Sequence, residues 1–274
     1  MKHFLLSLLF ILLVSCTTTD TVQPPCPQPL PPQEAQCPFG QPVLRCTSPC
    51  TAPIVVTRNE YTLGYSPDRR APLWVCETLE TVELDGTSQR RSSFPLDPLV
   101  PRLYQSPSSV YTRSGYHRGH MAAASNQKGD QIAMDETFFM SNIVPQLPTY
   151  NSGIWKMLEN WTRGWTLKTE EKLYVISGPI YSKLSSSFLP GTVIPIPTHF
   201  WKVLVARRGT KSWHALAFII PHNDSHKAPY RWQSYQTSVD MVELVTGLDL
   251  LPGLSRTDEE RIERKPQTYE MWTK

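Results

Sequence analysis

Apolar and polar positions alternate over residues 54–64 and 72–84, which between them carry Val, Thr, Tyr and Trp. That period predicts strands. Residues 85–114 lose the alternation, are rich in Ser, Pro and Arg, and read as loop. The stretch 137–144 suits a short strand or a buried turn. From Asn151 onward Ile154, Met157, Leu158, Trp161 and Trp165 recur at helical spacing, which predicts a helix over 151–165. Further strands are predicted at 173–177, 192–196, 200–206 and 213–220. Residues 239–246 read as a helix stopped by Gly247. Strands before, between and after helices give an α+β domain around a mostly antiparallel sheet.

The ends add organisation to this pattern. Lys2 and His3 precede an apolar run of about eleven residues, 4–14, too short to span a bilayer and typical of a signal peptide. It ends Leu13-Val14-Ser15-Cys16, which resembles a bacterial lipobox. Residues 1–15 are therefore expected to be a lipoprotein signal peptide, and Cys16 to carry the lipid. Ordinary secretory cleavage, with Cys16 a bystander, is the plainer alternative. No other apolar stretch is long enough to cross a membrane. Thr17 supplies no acidic retention signal, so the outer membrane is the expected address, on its periplasmic or its outer face. Residues 17–53 hold ten prolines. Such a segment buries no core, so 16–53 reads as a tether and 54–274 as one domain.

Once Cys16 is set aside, Cys26, Cys37, Cys46, Cys50 and Cys76 remain. Export makes disulfides reasonable, five is odd, and the connectivity stays open. The net charge of +3 is a weak argument for a polyanionic partner.

The chemistry concentrates in residues 115–159. Gly115-Tyr116-His117-Arg118-Gly119-His120-Met121 supplies imidazole and guanidinium; Ser141-Asn142-Ile143-Val144-Pro145-Gln146 comes next, then Asn151 and Glu159. Taken singly, each has a bland reading: Arg118 a surface ion pair, Asn151 a helix N-cap, Glu159 a solvated helix residue. Together they are the parts needed to hydrolyse a phosphodiester with one hard metal ion. On one continuous helix, eight residues separate Asn151 from Glu159 by about 12 Å, too far for both to touch one ion. His117-x-x-His120 also has the spacing of a zinc pair.

This ordered series resembles the DNA/RNA non-specific endonucleases of the ββα-metal class, especially their endonuclease G branch. The core motif of that family, Asp-Arg-Gly-His, stands here as His117-Arg118-Gly119-His120, followed by Met121-Ala122-Ala123-Ala124. Arg91-x-x-Phe94-x-x-Asp97 looks like the family's arginine-bearing loop. The stretches 133–138, 141–146, 151–159, 177–181, 197–202 and 242–248 also match in order, so the likeness covers roughly residues 54–255. It implies a ββα-metal fold, with His120 as general base, Arg118 and Arg91 as the phosphate clamp, and Asn142 orienting the loop of His120. Asn151 would bind the metal directly and Glu159 through water. The ion would be Mg²⁺, with Mn²⁺ or another divalent ion as substitutes. Arg90 competes with Arg91 for the clamp. His117 departs from the family's aspartate, which is a supporting residue, and carries no fixed negative charge.

The expected function is that of an exported, lipid-anchored, metal-dependent endonuclease acting on DNA and RNA without strong sequence preference. Its partners would be those nucleic acids and a membrane, reached through the lipid on Cys16; a homodimer stays open. The alternatives are a catalytically weak nucleic-acid-binding lipoprotein and a phosphodiesterase on small substrates.

Overall fold

The computed structural model describes residues 37–45, 52–181, 187–208, 212–264, 266–269 and 272. The signal peptide, Cys16, Cys26, Cys46 and Cys50 lie outside the described residues.

The alternating stretches do become strands, but the first is two of them. β2 (Ile54–Thr57) and β3 (Tyr61–Ser66) are joined by a turn in which the Arg58 N–H donates to the Tyr61 carbonyl. β4 (Ala71–Leu79) comes next, and a capping box between Glu80 and Glu83 then starts the short helix α1 (Thr81–Leu84). The chain returns to this sheet in β7 (Leu173–Ile180), β8 (His199–Arg208), β9 (Ser212–Pro221) and β10 (Gln236–Thr237). Seven strands pair antiparallel in the order β10-β9-β8-β7-β4-β3-β2, as the α+β reading expects.

Alternation along each strand loads both faces of the sheet. In β8, Phe200, Leu204 and Ala206 pack on one side with Trp155, Leu158 and Trp165. Trp201, Val203 and Val205 pack on the other with Val239, Val242 and Ile262. After the short helices α2 (Gln131–Glu136) and α3 (Pro148–Tyr150), the first side is covered by α4 (Lys156–Thr169), whose buried Leu158, Thr162, Trp165 and Thr166 fall on one stripe. The second is covered by α5 (Val239–Thr246), ended by Gly247 in the left-handed conformation, and by α6 (Arg256–Ile262).

Three readings of the sequence need correction. Residues 192–196 are not a strand: among the described residues a single bridge, Phe188 to Pro195, is the β pairing there. Pro195 and Pro197 have no N–H to give a ladder. The predicted helix 151–165 is broken. A wide turn over Asn151–Trp155 leaves helical geometry at Gly153 (φ −103, ψ −112) before α4 begins. A Cβ at Gly153 would stand 2.8 Å from the Tyr230 hydroxyl, so glycine is what lets the turn pack there.

Lastly, part of the tether is docked. β1 (Val43–Leu44) pairs with β11 (Leu248–Asp249), and Phe39 sits edge-on to Trp213 at 4.7 Å and to Tyr174 at 5.5 Å. Cys37 is buried with them and meets the thiol of Cys76, which burial pushes up. A buried aromatic anchor outweighs the proline content around it.

Candidate active site

The motif residues 117–120 form β5 (His117–His120), paired antiparallel with β6 (Ile143–Gln146) in a small separate ladder. Gly119 is required by close approach: a Cβ there would lie 2.4 Å from the side chain of Gln146. Asn142 ties down the chain just past this strand. Its side-chain oxygen accepts from the Ala122 N–H (2.8 Å), and its amide donates to the carbonyls of Ala122 (3.0 Å) and Thr137 (2.8 Å). Fully buried, it fixes the path of the chain after His120 and stays out of the cleft.

β5, the turn at Asn151 and the first turns of α4 enclose a cleft of about 590 Å³. His117, Arg118, His120, Asn151 and Glu159 all line it, and so does Arg90. Arg91 does not. Arg90 is exposed and lies over the Phe138 ring at 5.2 Å, so of the two neighbouring arginines it is Arg90 that reaches the site. Asp97, at the end of that loop, is structural: it accepts hydrogen bonds from Arg58, Ser141 and the Leu99 N–H.

His120 packs edge-on to Phe138 at 4.8 Å and beside Phe94 at 5.6 Å. Its Nε2 is shut off from solvent without a partner, which leaves Nδ1 as the nitrogen that water can reach. Burial, with Arg90 adding to it, pushes its pKa down to about 3. The imidazole is therefore neutral, with its lone pair free. Arg118 lies over Phe94 at 5.4 Å and donates from Nε (3.2 Å) and a terminal nitrogen (2.7 Å) to the Ser108 carbonyl. Its guanidinium is thereby held rigidly at the cleft wall, with N–H groups to spare.

Near Glu159 lie two buried titratable side chains that sequence reasoning missed. Lys202 is 2% exposed, with its Nζ 4.8 Å from the Trp155 ring, and Glu77 is 1% exposed. Alternation had marked the first: Lys202 occupies an inward position of β8 between Phe200 and Leu204, where an apolar residue belongs. Burial raises the pKa of Glu159, and Lys202, Arg163 and Arg90 oppose the rise. Burial also pushes Glu77 up to about 7, opposed by Lys202 and by a 2.9 Å hydrogen bond from Asn126. Arg163, also missed, lines the cleft four residues after Glu159, one turn along the same helix face; it donates to Asn126 (2.9 Å).

The profile of the family described as "DNA/RNA non-specific endonuclease" matches residues 45–257. The chain belongs to that family. Among its relatives, "Nuclease EXOG, mitochondrial" of Danio rerio is 35% identical over 211 residues, 72% of this chain and 61% of that one. "Endonuclease G, mitochondrial" of Homo sapiens is 30% identical over 208 residues, 72% of this chain and 69% of the relative. "Nuclease C1" of Cunninghamella echinulata var. echinulata is 32% identical over 229 residues, 79% and 90%. This chain thus spans about three fifths of the zebrafish protein's length. A solved structure, titled "Crystal structure of the EndoG/EndoGI complex: Mechanism of EndoG inhibition", superposes with a TM-score of 0.71. It is 27% identical and covers 82% of this chain and 93% of that one. This neighbour agrees with a ββα-metal fold.

The donors of this endonuclease-family site fit a divalent ion. An amide and a carboxylate share one cleft wall, and hard cations take oxygen. The break at Gly153 removes the premise of a continuous helix between Asn151 and Glu159, so helical rise no longer sets their separation. A closed zinc site on His117 and His120 is not built. The three-donor cluster found among the described residues is Asp240, Glu243 and Glu263, in α5 and just beyond α6.

Proposed function

We propose that this chain is a metal-dependent endonuclease that hydrolyses phosphodiester bonds of DNA and RNA without strong sequence preference. The observation that carries the reading is His120: a neutral imidazole with one accessible nitrogen, in a cleft walled by arginines. With its proton on the buried Nε2, Nδ1 takes the proton of the attacking water. Arg90, Arg118 and Arg163 bind and orient the phosphate, contacting backbone rather than base edges, which is why cutting would be sequence-blind. Asn151 would hold the divalent ion through its amide oxygen; Mg²⁺ is the ion that oxygen donors alone would favour. Glu159, its charge shared with Lys202, Arg163 and Arg90, would act through water. A divalent ion there supplies neutralisation of the charge that develops on the phosphate and the leaving oxygen.

The same proposal keeps the chain exported and lipid-anchored through Cys16, at the bacterial outer membrane. What supports this is the apolar run before Leu13-Val14-Ser15-Cys16. No helix of the described residues is long and apolar enough to cross a membrane.

His120→Ala should lower plasmid cleavage by at least about 10²-fold, the worth of positioned general-base catalysis, with an unchanged circular-dichroism spectrum. A folded variant that cuts at the parental rate would overturn the assignment. Digestion of a dinucleotide beside plasmid separates the endonuclease from a small-substrate phosphodiesterase.

A further inference from the structure

His117 lines the cleft, exposed, and its Nδ1 lies 3.2 Å from the side-chain amide nitrogen of Asn151. The amide N–H donates to Nδ1 when that nitrogen carries its lone pair. Amide oxygen and nitrogen exchange places by a half-turn of the terminal torsion, with no shift of the heavy-atom framework. After that half-turn the Asn151 oxygen and the His117 Nδ1 are two lone-pair donors about 3.2 Å apart. Neighbouring ligand atoms around an ion with bonds of about 2.1 Å are about 3.0 Å apart in an octahedron and about 3.4 Å in a tetrahedron. The observed spacing falls between the two.

We propose that His117 is a second direct metal ligand beside Asn151, making a mixed nitrogen and oxygen site that prefers Mn²⁺ and later first-row ions to Mg²⁺. The reason is donor chemistry. Mg²⁺ gives up water reluctantly and favours oxygen, whereas imidazole suits borderline ions. This rests on the nuclease reading of the cleft, since Asn151 is taken from it as the first ligand.

The test uses the full chain and Mn²⁺ as probe. Free Mn²⁺ is titrated by electron paramagnetic resonance, Mg²⁺ is measured by competition, and pulsed spectra read nitrogen coupling to the bound ion. The parental chain should show a directly coordinated imidazole nitrogen. His117→Ala should lose that coupling and at least about tenfold in Mn²⁺ affinity, with Mg²⁺ affinity moving much less. His117→Asp should restore an oxygen ligand and reverse the preference toward Mg²⁺. Coupling and affinity both retained in His117→Ala would overturn the proposal. If Asn151→Ala alone loses Mn²⁺, the proposal falls and the nuclease reading stands. If neither variant changes binding, the ion sits elsewhere and both fall.

Discussion

Arg90 and Arg91 are neighbours in the chain with different surroundings. Arg90 stands over Phe138 at the cleft, while Arg91 lies outside the lining. Arg90→Ala should therefore weaken cleavage by about tenfold or more, through the loss of a charge-assisted phosphate contact, and raise KM. Arg91→Ala should stay close to the parental enzyme; steady-state kinetics on plasmid decides, and equal losses would return Arg91 to the site. Single residues were the most legible part of this chain. His120, Arg118, Asn151 and Glu159 do meet in one cleft, because the motif that contains them is short and ordered. The choice between two adjacent arginines was not legible, since a loop without periodicity does not say which side chain points inward. Arg163 and Lys202 were hidden for a different reason: a charged residue on a helix or strand reads as solvated until the packing around it is known.

At the scale of elements, β5 was the least visible. Its four residues, His-Arg-Gly-His, carry no alternation of apolar and polar side chains, so nothing in the pattern announced a strand. What makes it one is its partner β6 and the flat approach of Gln146 over Gly119. Gly119→Ala should cost about 1–3 kcal/mol, as overpacking does, and displace His120. Shortening Gln146 removes the obstacle, so Gly119→Ala with Gln146→Ala should be less damaging than the two single losses added together. Chemical denaturation of the four proteins of that cycle measures the coupling. Strict additivity would mean that the two side chains do not compete for this space. The long β8 and β9 were readable because apolar residues, aromatic and β-branched ones among them, dominate their middles. Residues 192–196 show the converse, a β-like composition in which prolines deny the ladder its donors.

For the molecule as a whole, the buried Glu77 links protonation to folding. Its pKa is about 7 in the folded chain against 4.5 for the ordinary carboxyl, so the folded state keeps a proton that the unfolded state releases. This contribution to stability is complete below about pH 4.5 and is lost as pH rises through 7. Thermal unfolding at pH 5 and pH 8 should show Glu77→Gln losing less on alkalinisation than the parent. The gap should be several degrees, at about 2–4 °C per kcal/mol for a chain of this size. Parallel curves would show that Glu77 ionises normally. The same sheet that hides Glu77 also separates two kinds of traffic. The N-terminal strap, Phe39 and β1, lies on the side of α5 and α6, while the cleft opens beside α4. In the lipid-anchored reading proposed above, a chain held from its leading end is held by its back. A polymer many times longer than the protein can lie across the front without running into whatever does the holding.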